Sequence, residues 1–226
     1  MALKSRTTNR SSLRLSPLAS LRTSLSLLLF TLAALCLNTH SVFAVGNRVS
    51  LPSFADFSRT VQNGQKDILR GVYVDNVLAL PVVQQPSGNT IYVSNNDGEA
   101  TQFGMASQYG NIGLLAHNHK AGKSFSGLAS GQEVLLVYGD GRVETFEIEE
   151  VLKFQALQPT NPFSSFKSID EDEILTTGQM FSRVYAGDYH LTFQTCIAAN
   201  GKLSWGRLFI IAVPKEPMQI NDQQKY

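Results

Sequence analysis

The sequence predicts a mainly β protein, a closed or nearly closed barrel of short strands with short helices attached. Three observations predict it. From about Gly71 onward, short apolar runs recur with turn residues between them. In the run Val143–Phe154, Phe146 and Ile148 alternate with Glu147 and Glu149, which gives a strand one buried and one wet face. Apolar residues make up 43% of the 226 residues, enough for the packed core of one domain plus extensions and too many for a disordered chain.

Taken in order, the chain opens on a basic stretch, Lys4, Arg6, Arg10, Arg14 and Arg22, with no acid among its first 22 residues. The apolar run Thr23–Leu37 follows, and then Val42-Phe43-Ala44. A positive region, an apolar region and small residues before a cut after Ala44 read as a secretory signal. Uncut, the same segment serves as an N-terminal membrane anchor, although it is short beside the roughly 20 apolar residues of a spanning helix. Either way the rest of the chain lies outside the cytoplasm. Residues 1–44 are therefore assigned to export, 45–70 to a linker and short amphipathic helix, 71–214 to the folded domain and 215–226 to a polar tail. The helix is expected from Ser53-Phe54-Ala55-Asp56 to Asn63-Gly64, with Phe54, Phe57 and Val61 on one face.

The expected strands are Gly71–Asp75, Val77–Val83, Thr90–Ser94, Gly113–His117, Glu133–Tyr138, Val143–Phe154, His190–Cys196 and Arg207–Val213. Gly139-Asp140-Gly141 reads as a hairpin turn. The connection Gln155–Tyr189 is long for a barrel. Its Ser168-Ile169-Asp170-Glu171 has the pattern of a capping box, so a helix is expected from there to about Val184, with the acids 170–173 in its first turn.

Composition limits the function. A net charge of +1 offers no field for nucleic acid. The glycine-rich stretches read as turns, so no cofactor is expected, and no metal site either. Of the two cysteines, Cys36 lies in the export segment, which leaves Cys196 alone in the domain with no disulfide partner. An unpaired cysteine outside the cell faces oxidation and needs a reason to be there, either packing in the core or chemistry.

Three residue types at strand ends point to that chemistry. Cys196 ends one strand, Arg207 begins the next, and His117 ends a third. A thiolate attacks carbonyls, an imidazole protonates a leaving amine, and a guanidinium holds an oxyanion. Antiparallel strands joined by Ile197–Gly206 bring Cys196 and Arg207 together, while spacing alone does not place His117 beside them. His119 is the rival for the acid/base role. His190, six residues before Cys196, shares its strand face and reads as a strand-opening surface residue.

Thr192-Phe193-Gln194-Thr195-Cys196 resembles the TLxTC signature of the sortase family, with Phe193 in place of leucine. Trp205-Gly206-Arg207-Leu208-Phe209 resembles the family's strand bearing the catalytic arginine. Leu115-Ala116-His117-Asn118 is similar to its strand ending in Gly-His or Gly-His-Asn, with Ala116 in place of glycine. Phe125, Leu128 and Gly131, then Glu133–Val137, match the run that follows. The resemblance spans roughly Gly71 to Pro214.

It implies an eight-stranded sortase barrel and a cysteine transpeptidase. Cys196 would attack a carbonyl in a short sorting motif near the C-terminus of another exported protein. His117 would protonate the departing amine, and Arg207 would hold the oxyanion. An amine of the cell wall or of another protein would then release the product. Thr195 would contact substrate beside the nucleophile, and Phe163, Phe166, Ile174 and Leu175 would line a pocket for the motif. A cysteine hydrolase on the same site, and a non-catalytic exported barrel that binds peptide or glycan, stay open.

Overall fold

A computed structural model of the chain describes residues 50–161 and 163–215. The export segment and the polar tail lie outside the described residues, apart from Lys215. Among the described residues no helix is long and apolar enough to cross a membrane.

The chain enters through helix α1 (Phe54–Val61). Its start follows from Ser53, whose hydroxyl accepts the Asp56 N–H, the N-cap bond that its sequence signals. Phe57 and Val61 pack with Tyr73 and Val137 on the outside of the barrel. Gly71 permits the approach, since a Cβ there would stand 2.9 Å from Phe57 and Val61.

Strands β1 (Leu69–Val74), β2 (Leu78–Gln84), β3 (Ala100–Gln102), β4 (Ile112–Leu115), β5 (Glu133–Tyr138), β6 (Val143–Ala156), β9 (Leu191–Ala199) and β10 (Lys202–Pro214) close on themselves. The order is β10-β9-β4-β3-β2-β1-β5-β6, and β6 pairs with β10 to complete a ring of eight. The short strands β7 (Phe166–Ser168) and β8 (Ile174–Leu175) extend the sheet from the far end of β6. Two pairings are parallel, β2 with β3 and β4 with β9. The eight-stranded barrel expected of the sequence is therefore present, with no free edge around the ring.

Alternation decides what fills the barrel. Phe193, Ile210, Leu114, Leu136, Phe146 and Ile148 point inward and are fully buried. A 3₁₀ helix (Ala121–Gly127) sends Phe125 into the barrel edge-on to Phe193, with ring centroids 5.1 Å apart. Burying that ring contributes roughly 2–3 kcal/mol and ties down the loop that follows His117. A short helix α2 (Gly104–Ser107) precedes β4, and α3 (Thr177–Tyr185) precedes β9. Helix α3 lays Met180, Val184 and Tyr185 on Phe154, Phe166 and Phe209, outside the barrel.

Two element assignments are corrected. Thr90–Ser94 is not a strand. The Gln85 side chain donates to the carbonyls of Thr90 and Tyr92, so a local bond replaces the ladder, and the third strand is Ala100–Gln102. Ser168 does not start a helix either. It pairs with Phe154 as the end of β7, and its hydroxyl accepts the Glu171 N–H in a local turn. Ile174 and Leu175 turn back as β8, which leaves the acids 170–173 in the turn between strands. The helix begins later, where Thr176 and Gln179 form the capping box.

Candidate active site

Register relates the three predicted residues to one another. Cys196 on β9 lies directly opposite Arg207 on β10. Leu115, the last residue of β4, pairs in parallel with Gln194, so the chain leaves the sheet towards His117 as β9 runs on to Cys196, each two residues past that pair. The Ala116 N–H donates to the Gln194 carbonyl at 3.2 Å, which carries the ladder past the end of β4. Leu191 and Phe193 face the barrel core, so Gln194 and Cys196 face out. By the same alternation Arg207 and Phe209 face out while Leu208 and Ile210 face in.

Local contacts fix each group. Arg207 donates from Nη1 to the carbonyls of Ser204 (3.2 Å) and Gly206 (2.9 Å), and its guanidinium lies 5.9 Å above the Phe166 ring. Among the described residues its remaining N–H groups have no side-chain or main-chain acceptor. The loop after His117 is tied across to the β9–β10 hairpin, because Asn118 Nδ2 donates to the Leu203 carbonyl at 2.8 Å. His117 is half-buried, and its ring stacks on that of exposed His119 at 5.5 Å. Burial holds the His117 imidazole below its ordinary range; His119 and Lys120 push the same way, and a hydrogen bond to the Val93 backbone opposes them.

Thr195, expected beside the nucleophile as a substrate contact, is turned away from the outer face that carries Cys196. It is 5% exposed, faces inward, and donates from Oγ1 to the Ala116 carbonyl at 2.8 Å. The next carbonyl, that of His117, accepts the N–H groups of Lys120 and Gly122. A Cβ on Gly122 would stand 2.4 Å from Thr195 Oγ1 and 2.8 Å from the carbonyl oxygens of Ala116 and His117. Thr195 and Gly122 therefore hold the His117 turn against β9, the strand of Cys196. The sequence signal for this was the glycine, which was not singled out.

Beside Arg207 lies a cleft of about 470 Å³, lined by Phe103, Phe166, Phe181, Tyr185, Gln194 and Phe209 among others. Of the four apolar residues expected there, Phe166 lines it and Leu175 packs behind it. Phe163 is 81% exposed and Ile174 is 59% exposed, and neither lines it. The sequence reading missed Gln194, Phe103, Phe181 and Tyr185. Gln194 Oε1 accepts the Tyr185 hydroxyl at 2.5 Å, which sets a side-chain amide in the cleft two residues before Cys196. His190 is buried rather than on the surface, since its ring nitrogens meet two main-chain carbonyls.

The molecule is thus a closed eight-stranded barrel in which free Cys196 and Arg207 are cross-strand partners and His117 lies two residues beyond the end of the strand next to β9. No protein-family model matches the chain, and no curated protein does. The solved structures it is similar to include sortase A of Listeria monocytogenes, at 12% identity over 66% of this chain and 88% of that one, with a TM-score of 0.42. They also include sortase C-1 of Actinomyces oris, at 10% identity over 75% and 83%, with a TM-score of 0.44. A third is the sortase D5 transpeptidase of Clostridium perfringens, at 12% identity over 73% and 90%, with a TM-score of 0.42.

Proposed function

We propose that this chain is an exported cysteine transpeptidase of the sortase type, working on other exported proteins that carry a short C-terminal sorting motif. The observation that carries the reading is the cross-strand pairing of Cys196 with Arg207 on the outer face, beside an apolar cleft, with His117 two residues beyond the end of the neighbouring β4. The TFQTC and WGRLF motifs lie on the two strands that form the pair.

The chemistry follows from those positions. The Cys196 sulfur attacks the scissile carbonyl carbon, and the thiol proton passes to His117. Because His117 is held below the ordinary imidazole range, it rests neutral at neutral pH and is ready to take that proton. Arg207 donates to the oxygen on which negative charge develops. Collapse of the tetrahedral adduct breaks the C–N bond, and His117 gives its proton to the leaving amine. A thioester to Cys196 remains. An acceptor amine, on the cell wall or on another protein, then attacks the thioester carbon, its proton goes to His117, and the thiol is restored as the new amide leaves. The N-terminal segment would deliver the domain outside the cytoplasm, secreted or held at the membrane.

A peptide library spanning sorting-like motifs, incubated with the full chain, tests this. Intact mass should show an acyl adduct on Cys196, and an added amine should divert the product from acid to amide. Acid as the sole product at every amine concentration would make the enzyme a hydrolase. Absence of any adduct, with Cys196 unreactive to a small thiol reagent, would sink the enzymatic reading.

A further inference from the structure

Gln194 is held from both sides of its strand. Phe209 of β10 pairs with it on one side and Leu115 of β4 on the other, and its carbonyl accepts the Ala116 N–H. Its side chain leaves the outer face into the cleft beside Arg207, two residues before Cys196. A strand rises about 3.3 Å per residue, so the two positions stand about 6.6 Å apart along β9. A peptide held against Cys196 has a side chain within reach of that amide.

Tyr185 decides which way the amide is turned. Its side chain is 2% exposed, with its ring centroid 5.2 Å from those of Phe103 and Phe181. Asn111 Nδ2 donates to its carbonyl at 2.9 Å and fixes its main chain. Among the described residues its hydroxyl has one partner, Gln194 Oε1 at 2.5 Å. A phenol carries its proton at neutral pH, and burial pushes Tyr185 further up. Were the amide reversed, that proton would meet an N–H2 group and find no acceptor. The carbonyl end of Gln194 is therefore spent on Tyr185, and Nε2 keeps two N–H groups without an acceptor among the described residues.

The rest of the cleft supplies none. Phe103, Phe166, Phe181 and Phe209 wall it with rings. Its other polar side chains are Thr177, which donates to the Ser164 carbonyl at 2.9 Å, and Arg207, which only donates. No carboxylate lines it among the described residues. A plain aliphatic guest would strip water from Nε2 and return no hydrogen bond. A charged guest would have to leave water for aromatic walls. A neutral guest with an apolar stem and a carbonyl oxygen avoids both costs, and its own N–H groups can lie against the rings. We propose that Gln194 is a specificity-determining residue, whose Nε2 donates to a side-chain carbonyl, so that the motif residue received by the cleft bears an amide, as glutamine does, rather than a plain aliphatic chain. The proposal rests on the transpeptidase reading in taking the cleft as the place where the sorting motif binds.

Sorting-like peptides carrying glutamine, methionine or norleucine at each position in turn test it. They are titrated against the full chain bearing Cys196→Ala, so that binding is read without acylation. At one position glutamine should bind at least about fivefold tighter than norleucine, the scale of one hydrogen bond in a partly closed site. In the same background, Gln194→Glu keeps an acceptor for Tyr185 and removes both donors, and the preference should vanish or invert. Gln194→Met removes donor and acceptor together and should also abolish it. Tyr185→Phe leaves the donors but frees the amide to turn, and should weaken the preference less. Equal binding of glutamine and norleucine at every position, a preference that survives both Gln194 variants, or no binding by any peptide overturns the proposal. Acylation of the unmodified chain separates it from the reading beneath it. A glutamine preference in binding with no adduct on Cys196 would sink the transpeptidase reading and keep the specificity. Adducts formed equally fast from glutamine and norleucine peptides would keep the reading and sink the specificity.

Discussion

On the inner face of β9, Leu191, Phe193 and Thr195 are all but sealed from solvent, and the one polar group among them is spent on the Ala116 carbonyl. On the outer face, Gln194 and Cys196 are half-exposed, and on β10 Arg207 has N–H groups without an acceptor among the described residues. Nine residues thus supply both a packed wall and the outer surface that presents Cys196, because successive side chains of a strand point to opposite faces. The difference teaches where each kind of substitution should act. Outer-face changes should remove chemistry and leave the fold, while inner-face changes should cost stability and reach the chemistry through geometry.

The largest expected effect is on the outer face. Cys196→Ala should abolish the acyl adduct with every peptide, with circular dichroism and melting unchanged; cleavage at the parental rate by this variant would place the nucleophile elsewhere. Next, His117→Ala or Arg207→Ala should each lower kcat/KM by at least about 10²-fold, the scale for losing a general acid or an oxyanion donor. Arg207→Lys should also be poor, since an ammonium does not reproduce the planar donor fork. Near-normal turnover in His117→Ala beside a dead His119→Ala would move the role to His119.

Inner-face changes sharpen the contrast. Gly122→Ala forces a Cβ against Thr195 and two main-chain oxygens, and should cost about 2–3 kcal/mol. Its activity should fall together with stability, because the displaced turn is the one that carries His117. Thr195→Val leaves the Ala116 carbonyl unpaired and should cost about 1–2 kcal/mol, read from denaturant midpoints. If Thr195→Val instead kept its stability and lost only peptide affinity, Thr195 would be a substrate contact after all.

The smallest effects lie at the rim. Phe163→Ser and Ile174→Ser should each change stability by less than about 0.5 kcal/mol, whereas Phe166→Ala, buried beneath the cleft, should cost about 3 kcal/mol. Chemical denaturation separates these cases. His117 adds a pH signature. A lowered imidazole is neutral over a wider range, so its acid limb in kcat/KM should fall below the ordinary value of about 6.5. His119→Asn removes one of the groups that push it down, so the limb should move up toward that value. A limb that stays in place or moves to lower pH would mean that His119 does not act on His117.

The sequence by itself determined the barrel, the amphipathic helix at Phe54–Val61, and the pairing of Cys196 with Arg207. Each is written in a period of 2 or 3.6, or in the length of one hairpin, and such patterns are local. It misread Thr90–Ser94 and Ser168–Glu171, where a side chain bound nearby backbone and broke the pattern that the residues suggested. Only the tertiary structure decided that His117 follows the strand next to that of Cys196, because a parallel pairing joins segments some eighty residues apart and no turn length encodes its register. It also decided the wall of the cleft. Phe103, Tyr185 and Phe209 come from separate elements, and only packing of α3 on the outside of the barrel brings their rings together beside Arg207.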